Sequence, residues 1–183
     1  MLKILIFLGG CVVMTEMALA ASCPSDVVKP FVGKWQGQAL LVSADSSQQK
    51  SSTQAEYYII DCQSFGASFS YLDESGAVVR TIKFAAVPDP SQAGVFTIAN
   101  GTTTDKSGST NVTGTFRQIQ DGTLLGTFIG ALASKPVYMN ELMNVTVPQS
   151  GPRQLVRTVQ MFSGGKGGTY IASRVDCERI INP

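Results

Sequence analysis

The chain has 183 residues, 14 basic and 13 acidic side chains, a net charge of +1 and no histidine. Near-neutrality leaves neither the basic patch of a nucleic-acid binder nor an acidic tail. Without histidine the commonest neutral-pH general base and the commonest nitrogen ligand are gone, which excludes Ser-His-Asp and Cys-His hydrolases and His-ligated metal centres; no metal or cofactor is expected.

At the N-terminus, Lys3, the apolar run 4–8 and Ala18-Leu19-Ala20 follow the order of a cleavable leader: a basic end, a hydrophobic stretch and a small-x-small site. Thr15 and Glu16 interrupt the stretch, which falls short of the roughly 20 apolar residues a spanning helix needs. No later segment is a candidate to cross a bilayer. Cutting after Ala20 removes residues 1–20 as a signal peptide and leaves 21–183 as a single secreted or periplasmic domain. Cys11 departs with the leader. Cys23, Cys62 and Cys177 then imply one disulfide and a third cysteine with another fate: a free thiol, a link between chains or a lipid. Cys23 follows Ala20-Ala21-Ser22, which resembles a bacterial lipoprotein cleavage box with alanine where leucine is preferred, so it is the candidate lipid anchor.

From Lys34 onward short runs of two-residue alternation are separated by clusters of Gly, Ser, Asp, Asn and Pro, the signature of strands and turns. Before that point only residues 25–31 have the pattern for a short helical turn, limited by Pro30. Ten strands are predicted at 34–43, 54–62, 65–72, 77–87, 94–99, 111–120, 123–133, 139–147, 154–162 and 168–177. The clearest is Phe65-Gly66-Ala67-Ser68-Phe69-Ser70-Tyr71, apolar at every second position, followed by the turn Asp73-Glu74-Ser75-Gly76. Asp121-Gly122 is the strongest hairpin signal. Short connections make an up-and-down meander the simplest topology, and closure leaves no unpaired edge, so the expectation is an all-β, closed antiparallel barrel of about 8–10 strands. A two-sheet sandwich is the rival.

In a meander, strand parity assigns ends. Cys23, Cys62 and Cys177 fall at one end, and the polar segments 44–53, 100–110 and 164–168 become loops at the other. The disulfide is expected between Cys62 and Cys177, because Cys23 sits on an N-terminal arm.

Gly33-Lys34-Trp35 opens the first strand directly after that arm, and here the sequence resembles the lipocalins and the wider calycin group, which begin with Gly-x-Trp at this place. The resemblance implies that Trp35 plugs the closed end and that a late arginine packs over it, Arg174 or else Arg157. Avidins share Gly-Lys-Trp, but their further tryptophans are missing. Fatty-acid-binding proteins use an Arg-x-Tyr pair, from which Tyr170 and Arg174 depart in spacing and order. The run 164–170, Gly-Gly-Lys-Gly-Gly-Thr-Tyr, is similar to the glycine-rich turn of dirigent and allene oxide cyclase barrels.

Inward-facing glycines at 37, 126 and 130 leave room for a cavity, or else mark bends in the wall. Arg157 and Arg174 share faces with apolar residues, where a charge must be paired or solvated. They are therefore either anchors for an anionic ligand group or structural cations, stacked on Trp35 or paired with Asp61 or Asp176. The leading expectation is a non-enzymatic barrel holding a small, partly apolar ligand against Phe65, Phe69, Tyr71, Phe116, Phe128 and Tyr170, with Arg157 or Arg174 at its polar end. The alternatives are an interaction module or enzyme inhibitor acting through the loops 44–53 and 100–110, and a metal-free barrel enzyme or dirigent-type protein. Asn100, Asn111 and Asn144 each open an Asn-x-Thr sequon, so glycan is expected at Asn100 or Asn111 if the source is eukaryotic.

Overall fold

The structure, a computed structural model, describes residues 23–43, 45–132, 135–163 and 170–179; the leader expected at 1–20 and the glycine-rich turn at 164–168 lie outside these. Among the described residues, eleven strands follow a 3-10 helix, Pro24–Phe31: β1 Gly33–Ser43, β2 Gln48–Ile59, β3 Phe65–Leu72, β4 Val78–Pro88, β5 Val95–Asp105, β6 Gly108–Asn111, β7 Thr113–Gln120, β8 Thr123–Leu132, β9 Lys135–Thr146, β10 Gln154–Ser163 and β11 Tyr170–Arg179. All pairings are antiparallel between neighbours in the wall, and β1 pairs with β11, so the first and last strands are neighbours.

The remaining join, between β5 and β7, covers only 95–97 against 115–117, so the barrel is nearly rather than evenly closed. There Val112 N–H donates to the Gly101 carbonyl at 2.9 Å. The approach is so close that a Cβ on Gly101 would lie 2.4 Å from the Val112 carbonyl oxygen. β6 continues the pairing along the far half of β5.

Two segments expected as loops are strands. β2 starts at Gln48, and residues 100–110 form the β5–β6 hairpin, turning at Lys106-Ser107. Their threonines suit a pleated wall, but both faces are polar, so they lack the apolar alternation that marks a half-buried strand. Elsewhere the turn residues act as expected. Asp73 accepts hydrogen bonds from the Ser75 and Ala77 amides at 2.9 and 3.0 Å, and Gly122 turns β7 into β8 with φ +70°.

The helix closes one end of the barrel. Val28, Phe31 and Trp35 are fully buried, the Trp35 indole donates to the Phe31 carbonyl at 2.7 Å, and Ser25 Oγ donates to the Asp61 carbonyl at 2.7 Å. A disulfide joins Cys23 to Cys62 with Cα atoms 4.8 Å apart. This corrects the expected Cys62–Cys177 pair. The arm is not loose but packed under the barrel, which carries Cys23 to Cys62. Cys177 lies in β11, in register with Gly37 and Leu155, and β1 intervenes between β11 and β2. Two strand spacings, about 9–10 Å, exceed the reach of a disulfide. The bridge also occupies the Cys23 sulfur that a lipid anchor would require.

Candidate functional site

The register divides the interior into two halves. In the closed half Phe65, Phe69, Phe84, Phe96, Phe116 and Phe128 pack ring to ring, the tightest pairs being Phe84–Phe116 and Phe116–Phe128 with centroids 4.9 Å apart. Tyr57 extends this cluster to Phe31 at 5.6 Å and sets its hydroxyl 3.0 Å from the Met143 sulfur. Four of the residues expected to line a ligand, Phe65, Phe69, Phe116 and Phe128, thus face one another. Interlocked aromatic edges and faces leave a filled core here.

Gly126 shows how the space is used. Its missing side chain admits the Phe128 ring, whose Cε2 would lie 2.5 Å from a Cβ there, with Phe116 at 3.2 Å.

Beside this plug lies a buried ion pair. Arg157 on β10 donates through Nε to Glu141 on β9, and its guanidinium sits 3.9 Å over the Phe69 ring. Burial works against the Arg157 charge, but the Glu141 carboxylate, helped by Tyr71 and Tyr57, outweighs it and raises the pKa above its ordinary value. The expected partners were Asp61, Asp176 and Trp35. Asp61 instead accepts from Gln63 N–H and Ser64 Oγ in the β2–β3 turn, both at 2.8 Å. Asp176 is in register with Val156, one position off Arg157. Arg157 Nε is therefore committed to Glu141 within the protein.

The open half is different. A cavity of about 50 Å³ opens between β4, β5, β8, β9 and β10, with Ile82, Val112, Phe128, Val137, Met139 and Met161 as its apolar wall and Arg80 and Thr103 as its polar groups. Gly130 lines it too, and a Cβ on Gly130 would meet Val112 Cγ2 at 3.4 Å and the Asn111 carbonyl oxygen at 3.9 Å, both ordinary van der Waals contacts. Among the described residues, only Phe128 of the expected ligand-lining set reaches this cavity. Tyr71 stands beside it, half-buried and in register with Arg80. Tyr170 and Arg174 are in register with Phe162 and Thr158, but their side chains lie outside the described residues.

Arg80 is the residue that sequence reasoning missed. It stands two positions before Ile82 and four before Phe84, so the alternation that puts those side chains inside puts Arg80 with them. Its Nε is buried without a hydrogen-bond partner, as are Ser51 Oγ and Thr110 Oγ1, and all three residues occupy open-half positions of β2, β4 and β6.

A wider depression of about 430 Å³ lies under the closed end, between the helix and the β7–β8 turn, with Asp26, Lys29, Asp121 and Arg153 on its walls. Its charges are largely engaged: Lys29 pairs with Asp26 at 2.9 Å, and Arg153 donates to the Pro30 carbonyl at 3.3 Å. No buried unpartnered polar atom faces it among the described residues.

Asn100 and Asn111 are exposed on the β5–β6 hairpin, with Asn111 in register with Thr102. Asn144 is half-buried and donates its side-chain amide to Thr123 Oγ1 at 2.8 Å.

No protein-family model and no curated protein matches the sequence. Solved structures match its shape. It is similar to an S-type phycobiliprotein lyase, CPES, from Guillardia theta, at a TM-score of 0.60 and 11% identity over 87% of this chain and 93% of that one. Rv2717c from M. tuberculosis gives a TM-score of 0.60 at 11% identity, covering 86% of this chain and 98% of its own. A protein of unknown function from the DUF3598 family of Nostoc punctiforme gives 0.55 at 19% identity, over 84% of this chain and 48% of that one. These neighbours are calycin-like barrels, and at such identities the likeness is one of fold.

Proposed function

We propose that the chain is an exported, non-enzymatic carrier that holds a small, partly apolar molecule in the open half of its barrel. The observation that carries this reading is the cavity at Ile82, Met139 and Met161, open to solvent beside the packed phenylalanine core. Small-molecule sites are typically concave and apolar with a few placed polar groups, and the mouth of a barrel is a common position for one. Methionines suit the lining, since their unbranched side chains re-pack around an incoming group. Export is supported by the leader-like segment and by the Cys23–Cys62 bridge, which belongs in an oxidising compartment.

Native mass spectrometry of protein purified from its own source tests the reading. The expected result is a chain cut after Ala20, one disulfide, glycan at Asn100 or Asn111 in a eukaryote, and a retained small molecule that denaturation releases. A bare mass at every purification would contradict it. Filling the cavity by Gly130→Leu should leave the protein folded and the adduct absent.

A second reading, an interaction module, rests on the outer wall. Leu125, Ile129, Tyr138, Leu142 and Phe162 are exposed there, with Leu125 facing Leu142 and Ile129 facing Tyr138 across β8 and β9. Concentration-dependent association in sedimentation, abolished by Leu142→Lys, would favour it over the carrier. The dirigent-type alternative drew on the run 164–170, which lies almost wholly outside the described residues.

A further inference from the structure

We infer that the outer wall formed by β8, β9 and β10 is a self-association face, and that its partner is a second copy of this chain. The inference rests on the interaction reading of that wall and names its partner.

The register sets the outward side chains in rows. Ile129 on β8 stands beside Tyr138 on β9, and Phe162 follows in the same row on β10. Two residues along, Thr127, Asn140 and Gln160 form a polar row. Two further on, Leu125 and Leu142 form a third, with Thr158 beside them. The wall therefore reads apolar, amide-rich and apolar again, with the outer rows about 13–14 Å apart. Leu125, Ile129, Leu142 and Tyr138 are 39%, 47%, 46% and 53% exposed, and a contiguous apolar patch on a protein surface marks an interaction site.

Among the described residues, no outward position on these three strands carries a charge, whereas Lys34, Lys50, Glu56 and Lys83 stand exposed on β1, β2 and β4. An uncharged face offers nothing to an acidic or basic partner. A lipid surface suits it no better, because Asn140 and Gln160 would lose water there without gaining hydrogen bonds. A second copy satisfies both kinds of row. With a twofold axis along the amide row, Asn140 and Gln160 each meet their own counterparts, and an amide both donates and accepts. The same axis lays Tyr138 over Leu142 and Ile129 over Leu125 of the other copy, so each apolar row covers an apolar row.

The area is sufficient. β7 extends the face with Thr113 and Thr115 and ends it at Arg117, in register with Leu125. Four strands about 4.8 Å apart, with about eight residues each, span roughly 19 by 27 Å. Two copies then cover about 1,000 Å² in all, the lower edge of a specific interface, so the dissociation constant should be on the order of 1–100 μM.

The test is sedimentation of the whole mature chain from roughly 1 μM to 1 mM, a range that brackets this constant. Monomer should convert to dimer and stop there, because a twofold face closes on itself. Leu142→Lys should weaken the dimer about tenfold to a hundredfold by placing a charge in the contact. Asn140→Asp and Asn140→Lys should each stay monomeric alone, since like charges then meet across the axis, and an equal mixture of the two should dimerise. Recovery in the mixture separates a contact from a disturbed fold.

Assembly that grows past the dimer, a dimer that Leu142→Lys leaves intact, or a mixture that stays monomeric would overturn the inference. A chain that is monomeric throughout yet retains a different protein from its own source, with retention lost in Leu142→Lys, would overturn the second copy and leave the interaction reading standing. A monomer that retains none would overturn both.

Discussion

The two halves of the barrel are built from the same alternating strands yet reach opposite results. In the closed half the inward positions of β3, β4, β7 and β8 hold phenylalanines, which fill the interior and leave polar groups only at the edge. In the open half the same strands carry Tyr71, Arg80, Ile82 and Gly130, and β9 and β10 add Met139 and Met161. The difference lies in side-chain volume and polarity at each level, not in backbone geometry. One face of β8 contains both cases. Gly126 is small because an aromatic ring occupies its place, whereas a Cβ at Gly130 would make only ordinary contacts with Val112 and Asn111.

The boundary between the halves should be the most sensitive point. Glu141→Ala strands the buried Arg157 charge and should cost about 3–5 kcal/mol in urea unfolding, while the double replacement Glu141→Leu with Arg157→Met should recover most of that loss. Next comes the closed end: Cys62→Ser, which opens a bridge spanning 39 positions in sequence, should lose about 2–4 kcal/mol. The two glycines separate the halves directly. Gly126→Ala drives a Cβ into the Phe128 ring and should cost about 1–3 kcal/mol, whereas Gly130→Ala should be nearly neutral by the same assay.

The smallest effect belongs to the turns that link strands at both ends. Hydrogen bonds from Ser75, Ser91 and Ser107, side chain first and then backbone, hold the Asp73, Asp89 and Asp105 carboxylates below their ordinary pKa. A depressed folded pKa contributes stability that is present above the unfolded value of about 3.9 and is lost as pH falls through it toward the folded value. The urea midpoint should therefore decline below about pH 4, and Asp73→Asn should flatten part of that decline without shifting it above pH 5.

Much of the closed half was legible in the sequence, because alternation of aromatic and small residues is a local signal. β3 runs from Phe65 to Leu72 as its pattern predicts, and Trp35 is buried where Gly-x-Trp implies. The open half was less legible. β2 and the β5–β6 hairpin carry Ser and Thr on both faces, so polarity there resembles a loop. Arg80 reads as a surface charge beside Val78 and Val79 unless the inward phase is carried back from Phe84. The Glu141 partner of Arg157 lies on a neighbouring strand and becomes visible only with the register. The Cys23–Cys62 bridge depended on how an N-terminal helix docks, a tertiary contact with no local pattern.

The methionines offer the most direct test of the division itself. Beyond the leader the chain has Met139 and Met161 at the open cavity and Met143 in the packed half, fully buried beside Tyr57. Carbon-13 methyl spectra recorded under xenon pressure should show saturable shifts at Met139 and Met161 and none at Met143, since xenon enters apolar voids and not close-packed cores. Equal shifts at all three methyls, or a shift at Met143 alone, would contradict the account.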